Sequence, residues 1–220
     1  GERGGARPDL VAKVASGELK EAHASWWGFD AADSTAFLQA AIDSGVRKLI
    51  VDDMGSPWVV KPLKGRSDQE IEFARGVELV AKRGEFHRKM DCLIAYRGAS
   101  NVVLRGCGAT FRMWVCDYTN SALYAKSEWR HAIGLWGVSN YRIEGLTLSS
   151  SGGDGIYFGS AGPGFPCRNG VVRNVVSERN NRQGMSIISA ENLLIEKCVL
   201  RDTCGARPMA GIDIEPNRNT

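Results

Sequence analysis

The sequence contains no run of about 20 apolar residues, no block of basic residues, and no basic-then-apolar segment at its N-terminus. A membrane-spanning helix, a nucleic-acid-binding arm and a signal peptide within this chain are therefore not predicted. The 28 Lys and Arg residues nearly balance the 25 Asp and Glu residues, which leaves a formal net charge of +3. We expect no nucleic-acid partner and no membrane partner.

Metal-ligand spacing is also missing. The six cysteines form no CxxC pair, and the three histidines, His23, His87 and His131, are far apart in sequence. No metal site is predicted from this pattern, and each histidine is expected to have a surface or packing role.

A glycine-rich stretch, "SGGDGIYFG" at residues 151–159, raises the question of phosphate binding. Its glycines do not have the dinucleotide-binding spacing, and no P-loop Lys-Ser/Thr pair follows. A nucleotide site is therefore weakly supported. With 220 residues, of which 43% are hydrophobic, the chain is long enough to bury a substantial core.

An internal repeat organises the second half of the chain. Four segments, "NVVLRGC", "NYRIEGL", "NGVVRNV" and "NLLIEKC", each begin with Asn and place apolar residues three and six positions later. Their starting residues are Asn101, Asn140, Asn169 and Asn192. Repeats of 20 to 40 residues with short strands and Gly or Asn turns are typical of a β-solenoid, in which stacked turns bury like side chains in columns. Cys107 and Cys198 are expected in one inward column, and the Asn residues are expected to form a ladder at a tight bend.

The same alignment explains the glycine-rich stretch. Gly155 and Gly184 each follow their Asn by fifteen residues and open an apolar strand, and "GIDIE" at Gly211 opens a third. The stretch is therefore predicted to be one turn of the solenoid.

The N-terminal region is predicted to cap the solenoid. "DSTAFLQAAIDSG" has Asp33 or Ser34 as a helix N-cap and Gly45 as its terminator, with apolar residues on one face. "PDLVAKVASGELKEAHASWWGF" is predicted to be a second helix interrupted by Gly. We divide the chain into a helical cap, residues 1–45, and solenoid turns, residues 46–220.

The order of a capping helix, short strands and "NxxI…GDGIYFG" turns resembles the pectate-lyase-like superfamily of right-handed parallel β-helices. The resemblance covers about residues 27 to 216 and implies an all-β solenoid that is active on polysaccharides and often secreted. The functional motifs match only in part. Asp154-Gly155 is similar to an element of polygalacturonases, but "NRQG" stands where that family has an Asp pair. "GIDIEPN" is similar only in part to the Asp-Pro-His-Glu element of mannuronan epimerases.

Outward side chains of neighbouring turns should form a wall suited to a long polymer. Glycoside hydrolysis needs two carboxyl groups, one protonated and one ionised. The candidate catalytic residues are Asp154, Asp213 and Glu215, with Asp154 and Asp213 two turns, or about 9 to 10 Å, apart. The candidate substrate-binding residues are Arg182, Gln183, Tyr157, Ser186, Trp114 and Trp129.

Three functions stay open at this point. The first is a glycoside hydrolase, which needs no cofactor. The second is a polysaccharide lyase or uronan epimerase, in which Arg182, Arg179, Lys126 or a bound Ca²⁺ could stabilise the developing enolate. The third is a non-catalytic β-helix that binds glycan or supports an assembly.

A polysaccharide or oligosaccharide is the expected partner, and the expected location is extracellular or periplasmic. The final segment "GIDIEPNRNT" follows a strand with no capping helix. Further turns or a partner are therefore expected to cover this end of the solenoid.

Overall fold

The computed structural model describes residues 5–216, which form a right-handed parallel β-helix with three faces. Every full turn of the chain adds one strand to each face, and all strand pairs are parallel. The first and second faces form one 11-stranded sheet because two long strands cross the corner between them, whereas the third face is a separate six-stranded sheet. Residues 1–4 of the predicted helical cap and residues 217–220 of the predicted solenoid lie outside the described residues.

The strands of each face follow one another along the helix axis. The first face contains β1 (Glu21–His23), β2 (Lys48–Val51), β5 (Gln69–Phe73), the first halves of β8 (Ser100–Arg112) and β10 (Ser139–Ser149), β12 (Cys167–Arg173) and β15 (Ala190–Glu196). The second face contains β3 (Trp58–Val60), β6 (Glu78–Ala81), the second halves of β8 and β10, β13 (Val176–Glu178) and β16 (Val199–Arg201). The third face contains β4 (Leu63–Lys64), β7 (Ile94–Arg97), β9 (Ile133–Trp136), β11 (Ile156–Gly159), β14 (Met185–Ile187) and β17 (Ile212–Ile214).

Two helices and a 3₁₀ turn precede most of the strands. The helix α2 (Thr35–Asp43) has Ser34 at its N-cap and ends at a left-handed Gly45, and it buries Leu38, Ala41 and Ile42. The second predicted helix is shorter than expected. The helix α1 (Pro8–Ala15) ends before Gly17, and the residues after it form β1 and a 3₁₀ turn (Ala24–Trp27). The backbone N–H and C=O groups of β1 form hydrogen bonds with β2 instead of continuing the hydrogen bonds of α1.

One further short helix, α3 (Val115–Tyr118), lies in the connection between β8 and β9. Among residues 5–216, none of the helices is long and apolar enough to cross a bilayer.

The interior consists of columns of apolar side chains from successive turns. On the third face Ile94, Ile133, Ile156 and Met185 stand in register and are all buried. At the last turn the same column continues with Ile212, which is 40% exposed. The columns extend along the β-helix and form its hydrophobic core.

The prediction that Cys107 and Cys198 lie in one inward column is wrong for Cys107. The strands β8 and β10 shift register at the corner, so that Leu146 pairs with Ala109 rather than with Cys107. Cys107 is exposed at this bulge, while Cys198 stays in the column next to Val175 and is half-buried. Two extra residues in one strand of a pair are a β-bulge, which the sequence spacing alone did not reveal. All six cysteines are free thiols.

An Asn ladder runs along the edge of the first face, as the repeat predicted. Each Asn side chain donates to the Asn of the preceding turn: Asn140 to Asn101 at 3.3 Å, Asn169 to Asn140 at 3.2 Å, and Asn192 to Asn169 at 3.2 Å. Asn101 in turn donates to Asp68 at 2.7 Å. All five residues have φ between 53° and 58°, a left-handed conformation that Asn adopts more readily than most residues.

Two substitutions at Asn140 should separate the stability that comes from its side-chain hydrogen bonds from the stability that comes from its preference for the left-handed backbone conformation. Asn140→Gly keeps the left-handed backbone but removes both side-chain hydrogen bonds, and we expect it to lower the free energy of unfolding by about 1 kcal/mol. Asn140→Ala also places an alanine in the left-handed region and should cost about 1 kcal/mol more than the Gly variant. Urea unfolding of the three chains measures both differences. If the Gly variant were as stable as the wild type, the ladder would contribute no net stability.

Candidate active site on the third face

The third face brings most of the predicted polar residues together. Tyr157, Ser186 and Asp213 stand in register on three successive strands, as predicted. A second row of His131, Asp154 and Gln183 occupies the position two residues before β9, β11 and β14, where the backbone pairing continues. The two rows lie side by side on the outer wall of the β-helix.

The glycines of the stretch 151–159 allow close packing at this wall. A Cβ atom at Gly155 would lie 1.9 Å from the Ser177 hydroxyl, and one at Gly153 would lie 2.8 Å from Nδ1 of His131. These glycines therefore permit close approach between turns of the β-helix. Close packing, rather than phosphate binding, explains the glycine-rich stretch.

Asp154 is fully buried, contrary to the expectation of an exposed side chain on the wall. Its Oδ1 accepts a hydrogen bond from the backbone N–H of Gln183 at 3.1 Å, and its own backbone N–H donates to Nδ1 of His131 at 2.9 Å. Its Oδ2 lies 3.2 Å from the same Nδ1 and 3.9 Å from Nη1 of Arg182. The structure thus places a carboxyl group in an interior site with one distant cation.

The pKa of Asp154 is raised to about 7, mainly by burial and to a smaller extent by the charge of Asp213. The charge of Arg182, the nearby Ser186 hydroxyl and the Gln183 N–H act in the opposite direction. The pKa of His131 is lowered to about 3, mainly by burial and then by the charge of Arg182. Because Nδ1 of His131 accepts a hydrogen bond, the neutral imidazole carries its proton on Nε2. The contact with Asp154 is therefore not an ion pair, and a proton on the Asp154 carboxyl removes the repulsion between its Oδ2 and Nδ1.

Gln183 connects the two aspartates. Its backbone N–H donates to Asp154, and its side-chain Nε2 donates to Oδ2 of Asp213 at 2.9 Å. Asp213 is half-buried and lies one turn beyond Gln183. The arrangement holds one buried carboxyl group and one solvent-accessible carboxyl group on the same wall, two turns apart.

Several buried polar atoms around Asp154 have no hydrogen-bond partner among the described residues. They are Oδ2 of Asp154, Nε of Arg182, Oε1 of Gln183 and Oγ of Ser186. Buried polar groups in native proteins are nearly always paired, and exceptions call for an explanation. Four such atoms on neighbouring residues mark this part of the wall as a candidate ligand-binding or catalytic site.

An aromatic stack flanks the cluster. Tyr157 stacks on His131 with ring centroids 4.7 Å apart and an interplanar angle of 13°, and Trp136 lies 5.4 Å from Tyr157. The guanidinium carbon of Arg97 lies 3.8 Å from the centroid of the Trp136 ring. The stack holds the imidazole of His131 in place against Asp154.

Three predicted residues lie outside the cluster. Glu215 follows β17 and is exposed, and within residues 5–216 it makes no side-chain hydrogen bond or ion pair. Trp114 lies at the end of the second face, where its Nε1 donates to the carbonyl of Ala81 at 2.6 Å. Trp129 is 41% exposed and lines a cavity beside the third face.

His131 is the residue that sequence reasoning missed. It was expected in a surface or packing role, but it contacts Asp154 directly and is 1% exposed. The signal was present in the repeat, because His131 precedes Ile133 by the same two residues that separate Asp154 from Ile156. Among the described residues, no group of three His, Cys, Asp or Glu side chains is arranged to hold a metal ion.

Comparison with known proteins defines the class to which this fold belongs. Residues 86–219 match the family model of the right handed beta helix region, so the chain belongs to that family. The resemblance to the pectate-lyase-like superfamily of right-handed parallel β-helices is confirmed.

Two curated relatives and two solved structures are similar to the chain. The SPbeta prophage-derived protein YorA of Bacillus subtilis strain 168 is 30% identical over 53% of this chain, and protein YclG of the same strain is 28% identical over 44%. Both are described as uncharacterized, and the matched regions are 22% and 18% of their lengths, so the chain spans about a fifth of these relatives.

A protein of Parabacteroides merdae named provisionally as a glycosyl hydrolase aligns over 89% of this chain and 96% of its own, with a TM-score of 0.64 and 14% identity. An iota-carrageenase in complex with iota-carrageenan fragments aligns over 80% of this chain and 40% of its own, with a TM-score of 0.63 and 16% identity. At these identities the two solved structures show the fold alone.

Proposed function

We propose that the chain is a polysaccharide-active enzyme that hydrolyses glycosidic bonds at the third face, with Asp154 and Asp213 as its catalytic pair. The observation that carries the proposal is the contrast between the two carboxyl groups. Asp154 is buried with its pKa raised to about 7, whereas Asp213 is half-buried and accepts a hydrogen bond from Gln183. Glycoside hydrolysis requires this combination of a protonated and an ionised carboxyl group.

In this proposal Asp154 is the general acid. Near neutral pH it holds a proton that it can donate to the oxygen of the departing sugar. His131 acts as a positioning residue, since its neutral imidazole fixes the Asp154 backbone through Nδ1 and cannot compete for the proton at a pKa of about 3.

Asp213 is the proposed base. It stands two strands from Asp154 and three residues farther along the strand direction, because the residue in register with Asp154 is Ala210. The backbones are therefore more than about 10 Å apart, but both carboxyl groups accept hydrogen bonds from Gln183, which brings them closer together than their backbones. This separation suits an inverting mechanism, in which a water molecule attacks the sugar from the side opposite the acid. Hydrolysis then breaks the glycosidic bond, with the Asp154 proton going to the leaving oxygen and a proton of the attacking water going to Asp213.

Arg182 is proposed to cover the acid and to bind substrate. Its side chain is 12% exposed, and its contact with Asp154 is long, at 3.9 Å. Nε of Arg182 has no hydrogen-bond partner among the described residues. A side chain held this loosely can shift when a sugar enters and exposes the Asp154 carboxyl. Gln183, Ser186 and Tyr157 complete the proposed binding wall.

The similar solved structures support a polysaccharide substrate, because one carries a glycosyl hydrolase name and the other binds iota-carrageenan fragments. A polymeric substrate of this kind is too large to enter a cell, so we also propose an extracellular or periplasmic location.

A panel of neutral, uronic and sulfated polysaccharides tests the proposed reaction. We expect new reducing ends from at least one polymer, with no rise in the ultraviolet absorbance of unsaturated uronates. A rise in absorbance would replace hydrolysis by a lyase reaction. The absence of both signals from a folded sample would contradict catalysis by this chain and favour a glycan-binding or structural β-helix.

A further inference from the structure

Six cations on the first two faces form ion pairs with carboxylates of neighbouring turns. Lys48 contacts Glu21 and Glu72, both at 3.3 Å, and Arg112 contacts Glu78 at 3.0 Å. The other four of these cations are Arg105, Arg168, Arg173 and Arg201. Such ladders of opposite charge leave little net field on these surfaces.

A cavity beside the third face breaks this pattern. It has a volume of about 790 Å³, within the range of small-ligand sites, and its lining includes Lys89, Lys126 and Arg207. None of these three cations makes an ion pair within residues 5–216. Glu128 is the single carboxylate among the described lining residues. The cavity therefore carries an uncompensated positive charge.

A buried arginine adds to this charge. Arg130 is fully buried, and its guanidinium donates to the backbone carbonyls of Phe86, His87 and Ala125. Within the described residues no carboxylate forms an ion pair with it, and the charge of Asp91 acts on it only from a longer distance. Its guanidinium carbon lies 5.8 Å and 5.4 Å from the ring centroids of Tyr118 and Tyr124, which line the cavity. A cation in a low-dielectric interior strengthens the positive potential of the cavity in front of it.

Aromatic side chains shape the cavity. Tyr118 and Tyr124 meet edge to face with centroids 5.1 Å apart, and Trp129 lies among the lining residues with 41% of its surface exposed. An exposed indole offers an apolar face on which a ring can stack. A flat apolar face beside several cations suits a ring that carries negative groups.

The cavity adjoins the candidate active site through two short contacts. Asn181, which lines the cavity, donates from its side chain to the carbonyl of Gly152 at 3.2 Å. Its neighbour Arg182 donates its backbone N–H to the carbonyl of Gly153, next to Asp154. The cavity is therefore next to the part of the third face that contains Asp154.

We propose that this cavity is a binding subsite for an acidic sugar, a uronate or a sulfated ring, of the polysaccharide that reaches Asp154 and Asp213. Trp129 stacks on the ring, and Lys126, Lys89 and Arg207 bind its negative groups. This assignment deepens the proposed function and rests on it, because it takes the bound sugar to be part of the substrate.

Isothermal titration calorimetry of the Asp213→Asn chain, which keeps substrate intact, tests the subsite. The probes are oligogalacturonate, a sulfated galactan oligosaccharide and a neutral galactan oligosaccharide of equal length. We expect at least one acidic probe to bind at least tenfold more tightly than the neutral one, and comparison of the two acidic probes identifies uronate or sulfate as the preferred group. Equal affinities, or no binding of any probe to a folded sample, would overturn the proposal.

Variants that remove two positive charges, either from the cavity or from elsewhere on the protein, test whether the acidic probe binds in the cavity. Adding Lys126→Gln and Arg207→Gln to the Asp213→Asn chain should lower the affinity for the preferred acidic probe about tenfold or more, since hydrogen bonds to charged groups are lost. Lys20→Gln with Lys197→Gln removes the same charge elsewhere and should change the affinity less than twofold. Similar losses in both pairs would show that net charge, not the cavity, binds the probe.

The turnover assay separates this proposal from the proposed reaction. Acidic-sugar binding that depends on Lys126 and Arg207, without cleavage by the wild-type chain, would keep the subsite and contradict hydrolysis. Cleavage by the wild type that is unaffected by the two substitutions would keep hydrolysis and contradict the subsite.

Discussion

Replacement of Asp213 by Asn should lower the rate of glycosidic cleavage by a factor of about 10² to 10⁴, the usual contribution of a positioned acid or base. The Asn side-chain oxygen can still accept the hydrogen bond from Gln183, so the fold at β17 should be unchanged. Asp154→Asn should cause a loss of similar size, because Asn keeps the shape of the neutral carboxyl but has no proton to donate. Initial rates of reducing-end release measure both effects.

Asp202→Asn is the matched control for these variants. Asp202 is exposed, has φ of 54°, which Asn tolerates, and lies after the second face, away from the Asp154 cluster. We expect its rate to stay within twofold of the wild type. An Asp213→Asn chain as active as this control would remove Asp213 from the mechanism.

The second large effect concerns stability. Relative to the wild type, Asp154→Asn should become more stable as the pH rises from 4 to 8, by a total on the order of 4 kcal/mol. The pKa of Asp154 is raised to about 7 in the folded chain, compared with about 3.9 when unfolded. Its contribution to stability is therefore fully present below pH about 3.9 and is lost as the pH rises through 7. Asn cannot lose a proton, so the variant does not share this loss.

The wild-type curve alone would hide this effect. His131, with its pKa lowered to about 3, contributes stability that is present above its unfolded pKa of about 6.5 and is lost as the pH falls through 3. Between about pH 4 and 6.5 the two groups act in opposite directions and nearly cancel. Because both chains contain His131, urea unfolding of wild type and variant at each pH isolates the Asp154 contribution. A difference independent of pH would contradict a protonated, buried Asp154.

The periodic features of the fold were predictable from the sequence. Solenoid turns repeat the same contacts, so the spacing of Asn140, Asn169 and Asn192 was sufficient to predict both the stacking and the ladder that the structure contains. The register of Tyr157, Ser186 and Asp213 followed from the same spacing. Departures from the repeat were not predictable. The bulge at Cys107 and the end of α1 before Gly17 depend on local backbone pairing that no period encodes.

The candidate site was predictable only in part. Asp154 lies two residues before the inward-facing Ile156, so alternation along a strand assigns it to the inside of the β-helix. Alternation cannot show that at the corner before β11 its carboxyl group lies next to Arg182 and His131. Burial depends on these side chains and on glycines such as Gly153, which let the turns approach closely. For the same reason His131 gained a role that its isolation in the sequence did not indicate. The cavity lined by Trp129 and Arg207 joins segments about 80 residues apart, which a period of 20 to 40 residues does not connect.

The most direct test of the account is the rate of polysaccharide cleavage by the wild-type chain at pH 5.5 and at pH 8.5, with reducing ends and unsaturated uronates followed together. If Asp154 is the general acid of a hydrolase, reducing ends form without absorbance, and kcat/KM falls on the alkaline side of pH about 7 as Asp154 loses its proton. Absorbance that increases with pH, or cleavage at equal rates at the two pH values, would contradict the assignment of Asp154 as the acid.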